Sequence, residues 1–295
     1  MDKFKKVWFI TGASRGFGFE IAKAALAIGD KVVATVRHDR KDVAARLNNP
    51  SGLLVVKLDV THETEVRLGV QRAIDRFGRI DVVVNNAGFG MVTAIEEASA
   101  TEVRKQYDTN VFGLLNVTRA VLPLLRGQRS GHIINVSSLF GYDAIPGWAL
   151  YGSTKFAVEG LSKGLAVELA PFGIHVTAIA PGLFSTDFLS PESYVASADP
   201  IDDYKRTAVW NMRQRASELN GKQPGDPEKL ASAVVKLAHL DNPPVHLPIG
   251  KDAVAMYRKN AERTLAGIAR WEELSAGTDH EQANKQEKPI QHVQQ

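Results

Sequence analysis

Cysteine is absent from the 295 residues, which removes disulfides, thiolate metal sites and cysteine nucleophiles together. The eight histidines include no His-Glu-x-x-His pair, so no metal site is expected. An excess of one charge is missing as well. The 36 Lys and Arg stand against 33 Asp and Glu, a net +3, and the basic residues are scattered, which argues against a nucleic-acid or membrane-surface partner. No run approaches the roughly 18 apolar residues of a membrane span. Basic residues do precede an apolar run at the N-terminus, as in a signal peptide, but that run stops at a glycine-rich turn and reads as a first strand, so a cytoplasmic protein is expected. A Pro/Gly/Ser-rich linker is also lacking in mid-chain, and with 44% hydrophobic residues one domain with a substantial core is expected.

Short β-branched runs alternate with longer helical patterns. Strands are expected over 7–11, 31–36, 53–58, 81–85, 132–137, 174–179 and 245–249. Helices are expected over 18–28, 42–48, 62–77, 99–125 (one or two), 149–170, 204–219, 228–240 and 253–274. Runs such as VVATV, DVVVN and HIINV are apolar throughout, as strands are when helices cover both sheet faces. The fold class is therefore α/β, a single-domain Rossmann-type doubly wound parallel sheet with helices on both faces. Ser99 and Glu102 form a capping-box pattern. A looser stretch at about 183–220 reads as a substrate lid on a catalytic domain of residues 1–275, and the polar residues 276–295 as a tail without fixed structure.

The first strand runs into Thr11-Gly12-Ala13-Ser14-Arg15-Gly16-Phe17-Gly18 and then directly into a helix. Gly12 suits a tight turn, Gly16 lets the backbone approach a pyrophosphate, and Gly18 lets the helix pack close while its N–H groups face the anion. The spacing departs from G-x-G-x-x-G, and a glycine-rich turn with no ligand is the plain alternative. At the end of the second strand, Val36 is followed by Arg37. That arrangement cannot accept from a ribose 2′-hydroxyl but can pair with a 2′-phosphate, as can Arg15, so NADP(H) is preferred and NAD(H) is possible. Arg37 as a merely solvated loop residue is the alternative.

Tyr151 and Lys155 lie four apart at the start of a helix and share one face. A cation near a phenol favours the phenolate, which would equip Tyr151 as a general acid/base. Taken alone, the pair also fits packing plus a snorkelling lysine. Ser138 stands at the carboxyl end of a strand, where its hydroxyl can reach a carbonyl oxygen or simply cap the strand end.

With these residues in place the chain resembles the classical short-chain dehydrogenases/reductases over about residues 6–250. Thr11 to Gly18 is similar to the family's T-G-x-x-x-G-x-G, Asn85-Asn86-Ala87-Gly88 to its N-N-A-G, Ser138 to its serine, and Tyr151-x-x-x-Lys155 to its Y-x-x-x-K. Asn110 resembles its helix asparagine, and Pro181-Gly182 with Thr186 its segment beside the nicotinamide. The resemblance implies Asn110, Ser138, Tyr151 and Lys155 as the catalytic set. Tyr151 would pass the proton, Lys155 would lower its pKa and hold the nicotinamide ribose, Ser138 would stabilise the substrate oxygen, and Asn110 would position a relay water. The cofactor set it implies is Gly12, Ser14, Arg15, Gly16, Phe17, Gly18, Arg37, Asp59, Val60, Asn86, Ala87, Gly88, Tyr151, Lys155, Pro181, Gly182 and Thr186, with Asp59 near adenine.

The general pattern looks most like the branch that includes 17β-hydroxysteroid and retinol dehydrogenases. Phe89, Met91, Leu139, Tyr142, Ile145, Trp148, Phe184 and Phe188, with Tyr194 and Trp210 from the lid, suggest an apolar pocket for a lipophilic ketone, aldehyde or alcohol, although several of them fit ordinary core equally well. Pairing through the helices at about 99–125 and 149–170 would give a homodimer or homotetramer. The alternatives are a non-catalytic dinucleotide-binding sensor or scaffold, against which an intact Ser138, Tyr151 and Lys155 weigh, and an NAD-linked alcohol dehydrogenase working oxidatively.

Overall fold

The computed structural model describes residues 5–38, 40–190, 194–196 and 200–278. Seven strands form one parallel sheet: β1 (Val7–Ile10), β2 (Lys31–Val36), β3 (Leu53–Lys57), β4 (Val82–Asn85), β6 (Gly131–Val136), β7 (Ile174–Pro181) and β9 (His246–Ile249). Their order is β3-β2-β1-β4-β6-β7-β9. The order reverses between β1 and β4, so loops leaving those two strands diverge and open a crevice at their carboxyl ends. The two remaining strands, β5 (Gly90–Val92) and β8 (Tyr194–Ala196), pair in parallel as a separate ribbon.

The apolar strands divide their side chains by alternation. Trp8, Ile10, Val32, Ala34, Ile134 and Val136 join one core cluster, which α1 (Gly16–Ala27), α2 (Arg40–Arg46) and α8 (Pro227–Ala238) cover. Phe9, Val33, Val83, Ile133 and Val176 join the other, under α3 (Glu63–Phe77), α5 (Gly113–Gln128) and α6 (Ala149–Leu169). Sequence periodicity and structure agree on every strand of the main sheet to within one or two residues at each end. Gly78, at φ 78°, ends α3, and the Ser99–Glu102 capping box opens α4 (Ala100–Tyr107), with Ser99 Oγ accepting from the Glu102 N–H at 3.2 Å. The expected 99–125 helix is interrupted at Asp108–Phe112 by one π-helical turn, a widening that is frequent at functional sites. Most of the proposed tail falls outside the described residues.

The 183–220 stretch holds short 3₁₀ turns at Asp187–Leu189 and Asp202–Arg206, then α7 (Ala208–Leu219). Its anchor is polar and buried. Glu97 accepts from Ala94 N at 2.9 Å and Ile201 N at 3.0 Å and pairs with Arg213 of α7. Burial pushes the Glu97 carboxyl upward, but those donors and the guanidinium together hold it below its ordinary 4.5. The last helix, α9 (Lys251–Ala276), is exposed over its distal turns, where Leu265, Ile268, Trp271 and Leu274 all face solvent. Among the described residues no helix is long and apolar enough to cross a membrane.

Removing one partner of a buried pair leaves the other charge without compensation. Arg213→Ala is expected to lower unfolding stability by about 3 kcal/mol at neutral pH, read by urea denaturation. Because the folded Glu97 carboxyl is held low, its contribution is present above about pH 4.5 and is lost as pH falls further. The difference between variant and parent should therefore shrink in acid.

Candidate active site

The glycine loop is held from the opposite side of the crevice. Asn86, just past β4, donates from Nδ2 to Thr11 O at 2.9 Å and Gly12 O at 3.0 Å. Thr11 Oγ1 in turn accepts from the Asn86 and Ala87 N–H groups at 2.9 and 3.0 Å. The segment is so close that a Cβ on Gly18 would stand 2.5 Å from Gly12 O and 2.6 Å from Asn86 Nδ2. Gly12 and Gly16 have φ of +65° and +57°, a region that L side chains rarely occupy. A Cβ on Gly16, by contrast, would meet only Thr186, at 3.8 Å, so the loop's surface at Gly16 is open on the side where Thr186 approaches.

Helix α1 begins inside this loop with neither a side-chain cap nor an acidic residue in its first turn, whereas α3 begins with Glu63 and Glu65. Its leading N–H groups are thus left to an anionic ligand. Arg46 of α2 closes the rim by donating to Ser14 O at 3.0 Å while its guanidinium lies 4.2 Å from the centre of the Phe19 ring. Phe17 meets Phe184 edge-on at 5.4 Å.

Further along the crevice, Arg37 is exposed just past β2. On the neighbouring strand end, Asp59 Oδ1 accepts from the Thr61 N–H at 2.9 Å and hydroxyl at 2.8 Å. Burial raises this carboxyl, yet the Thr61 bonds and the charges of Arg37 and His62 keep it below its ordinary value. Sequence proximity alone did not show that Arg37 and Asp59 sense each other across two strands. Val60 is buried against Gly113, whose Cβ would fall 2.5 Å from Val60 Cγ2, and its carbonyl accepts from Asn116 at 3.0 Å. Gly182 is pressed against Asp252 of α9, which also accepts from the Leu183 N–H at 2.7 Å.

The four proposed catalytic residues converge beyond β4 and β6. Tyr151 is 5% exposed, and Ser138 lies near enough to its hydroxyl to favour the phenolate. Ser138 Oγ also accepts from the Phe140 N–H at 3.2 Å, so it caps the following 3₁₀ turn, Leu139–Gly141, as well as facing the phenol. Lys155 Nζ donates to Val136 O at 2.8 Å and lies 5.5 Å from the Tyr151 ring centre. Burial is the largest influence on both groups. It pushes the phenol above its ordinary value against the opposing influence of Ser138, and it lowers Lys155 to about 8 against the attraction of Glu159. The expected lowering of the phenol by the lysine is not seen in the protein alone: burial and Ser138 are the influences on Tyr151, and burial prevails.

Asn110 sits on the π-helical turn with its amide fully engaged. Oδ1 accepts from Phe89 N at 3.1 Å, and Nδ2 donates to Phe89 O at 3.0 Å and Thr154 Oγ1 at 3.1 Å. The side chain therefore ties the Gly88-Phe89 backbone to α6, and the room beside it depends on Gly88, where a Cβ would be 3.1 Å from Asn110 Oδ1.

Aromatic rings surround the phenol. Phe140 stacks on Trp148 at 4.8 Å, and Phe140, Trp148 and Phe188 approach the Tyr151 ring at 6.1, 5.5 and 5.5 Å. Leu139, Ile145 and Phe188 join this cluster. Two of the residues suggested for the pocket lie elsewhere. Phe184 belongs to the core beneath α1 and α8, and Tyr142 turns away to stack on Tyr257 of α9 at 3.6 Å. Met91 is 2% exposed, Trp210 is half-buried on α7, and the Tyr194 side chain lies outside the described residues. Arg46 and Asp252 escaped sequence reasoning because each acts by holding backbone, a role without a spacing signature.

Comparison with known proteins agrees with this geometry. The profile of the family described as short chain dehydrogenase matches residues 6–194. Oxidoreductase BOA17 of Botryotinia fuckeliana is 40% identical over 273 residues, covering 92% of this chain and 98% of its own. The 3-ketodihydrosphingosine reductase of Bacteroides thetaiotaomicron is 35% identical, covering 86% and 91%. A short-chain dehydrogenase structure from Streptomyces avermitilis superposes with a TM-score of 0.85 at 37% identity, covering 94% of this chain and all of its own.

Two further structures carry a cofactor. The 3-ketoacyl-(acyl-carrier-protein) reductase of Brucella melitensis, complexed with NADH, has a TM-score of 0.69 at 30% identity and covers 83% and 96%. ElxO, with NADP bound, has a TM-score of 0.71 at 31% identity and covers 85% and 100%. The chain belongs to the short-chain dehydrogenase/reductase family and is an NAD(P)-dependent oxidoreductase acting on CH–OH groups. The tight glycine cradle, the uncapped α1 and the buried lysine fit a nicotinamide dinucleotide.

Gly18→Ala and Gly16→Ala should separate packing from backbone strain. Without cofactor, Gly16→Ala pays mainly left-handed strain, about 1 kcal/mol, whereas Gly18→Ala must also force Gly12 O and Asn86 apart, which costs about 1–3 kcal/mol more. Thermal unfolding should rank Gly18→Ala as the less stable, and nucleotide fluorescence titration should show both binding cofactor at least about tenfold more weakly.

Proposed function

We propose that the protein is an NADP(H)-dependent carbonyl reductase of lipophilic ketones or aldehydes, with Tyr151 as the proton donor. The observation that carries this reading is the position of Tyr151, near Ser138, with Lys155 beside it and a wall of aromatic rings around it. The nicotinamide supplies the hydride when bound. A carbonyl oxygen that receives negative charge then needs a donor and a proton, and the two hydroxyls are placed to give them. Burial keeps the phenol protonated at neutral pH, the state in which it can act as an acid and the one that reduction requires. Lys155, anchored on Val136 O, presents its ammonium where the nicotinamide ribose and the phenol would share it. Asn110 fixes the Phe89 backbone and the wide helical turn on which it lies, and would position the relay water there.

The preference for the phosphorylated cofactor rests on Arg37 and Arg15, which flank the place of the adenosine ribose. Asp59, engaged through Oδ1 by Thr61, would face the adenine. The apolar wall supports a lipophilic substrate, and a relative named for reduction of a long-chain keto lipid is in keeping with it. Residues 1–275 would form the catalytic unit with 183–220 as its lid, and α4–α5 and α6 would pair copies into a homodimer or homotetramer.

Consumption of NADPH and of NADH over matched panels of ketones and aldehydes, with Tyr151→Phe alongside, tests the proposal. Turnover with NADPH that falls at least about 10³-fold in the variant is expected. Arg37→Asp should raise KM for NADPH by about tenfold or more while leaving NADH little changed. Equal use of the two cofactors by the parent protein would overturn the Arg37 assignment, and binding of NADPH without turnover of any carbonyl would favour a sensor.

A further inference from the structure

One turn beyond Lys155 on the same face of α6 lies a second buried ionisable group that the reaction as described does not use. Glu159 is 4% exposed, and an isolated carboxylate at such a place is costly unless donors surround it. Two come from other elements. His246 Nδ1 on β9 lies 2.7 Å from Glu159 Oε2, and the Tyr257 hydroxyl on α9 donates to Oε1 at 3.3 Å. Tyr142, from the loop that follows Ser138, stacks on Tyr257 at 3.6 Å and meets His246 edge-on at 6.3 Å. On α6 itself Lys155 precedes Glu159 and Lys163 follows, its ammonium 6.0 Å from the Tyr142 ring.

The orientation of the imidazole follows from its bonds. His246 Nε2 is buried with no hydrogen-bond partner. Nδ1 is thus the nitrogen that engages the carboxylate. The ammonium one turn back along α6 is attracted by the Glu159 carboxylate, and this attraction opposes the effect of burial on Lys155.

We propose that Glu159 is a positioning residue for the reaction: its buried carboxylate, locked between His246 and Tyr257, keeps Lys155 charged beside Tyr151. The inference rests on the reading of Lys155 as the ammonium of the active site. It also gives α9 a part in the chemistry. The helix that supplies Tyr257 also donates from Asn260 to Tyr142 O and pairs Arg263 with Asp143 at 2.6 Å, so the carboxylate and the serine loop are fixed by one element.

The test is a direct titration of Lys155 in the cofactor-free protein, followed through the side-chain ε-carbon signal of ¹³C-lysine-labelled protein and assigned with Lys155→Arg. Turnover is not needed for this readout, so it stands whether or not a carbonyl substrate has been found. In Glu159→Gln, which keeps an acceptor for one of the two donors, the Lys155 midpoint should fall by about one pH unit or more. Glu159→Asp should restore most of it. Tyr257→Phe keeps the stacked ring and removes one donor from the carboxylate, so it should move the midpoint upward, the opposite direction. If a substrate is in hand, the alkaline limb of kcat/KM should move to lower pH in Glu159→Gln while the rate near pH 6 changes little. A folded Glu159→Gln whose Lys155 midpoint equals that of the parent overturns the proposal. Should that variant not fold, an unchanged midpoint in Tyr257→Phe does so instead.

Discussion

The crevice depends on one close approach, between the turn after β1 and the segment after β4. These strands sit side by side at the point where the sheet order reverses, and the chains leaving them would otherwise diverge with the Thr11 and Gly12 carbonyls and the Ala87 N–H lacking these partners. Asn86 and Thr11 satisfy those groups reciprocally, and the fit leaves no volume for a side chain at Gly18. The direction of α1, the exposure of its first N–H groups and the placement of Ser14 under Arg46 all follow from that junction. A second polar seam runs deeper along the same line: Asn85 donates to Asn135 and Asn135 to Ser162, each at 2.9 Å, joining β4, β6 and α6 in the interior. Buried networks of this kind are stabilising only when their members find partners, and they fix register more sharply than apolar packing does.

The chemistry is placed by the other ends of the same elements. β6 ends at Ser138, α6 starts at Tyr151, and the two are brought together because a parallel crossover returns α6 across the face of the sheet beside β6 and β7. Aromatic packing then dries the phenol, and drying is what separates the ionisation of Tyr151 from that of Lys155. A neutral acid and a cation side by side are more useful to a carbonyl than two half-ionised groups would be. The low polarity that raises the phenol also strengthens each remaining charge interaction in its neighbourhood.

Much of this was legible in the amino-acid order. Continuous β-branched runs separated by helical patterns specify a parallel sheet covered on both faces, and the observed alternation of Trp8, Phe9 and Ile10 between two cores is what that reading requires. The glycine spacing, the Tyr151–Lys155 interval and the Ser99–Glu102 cap are local signals, and each is realised. What was hidden is non-local. β5 and β8 are three residues each and pair across about a hundred positions, too short for a periodicity. Glu97 finds Arg213 116 positions away, and Glu159 finds His246 87 away. Apolar character also failed to say which core an aromatic joins, as Phe184 and Tyr142 illustrate.

The end of the chain holds more of the site than its polar, solvent-facing turns suggest. β9 completes the sheet beside β7, Asp252 pins the backbone at Leu183, and Tyr257, Asn260 and Arg263 fasten the loop behind Ser138. During synthesis these residues leave the ribosome after the glycine loop, the serine loop and α6. The dinucleotide half of the sheet can assemble around the glycine loop long before then, but the serine loop and the Pro181-Gly182 segment gain these tethers only once α9 has been made. Assembly of the binding crevice and assembly of the reactive centre are thus separated in time by the order in which the chain is made.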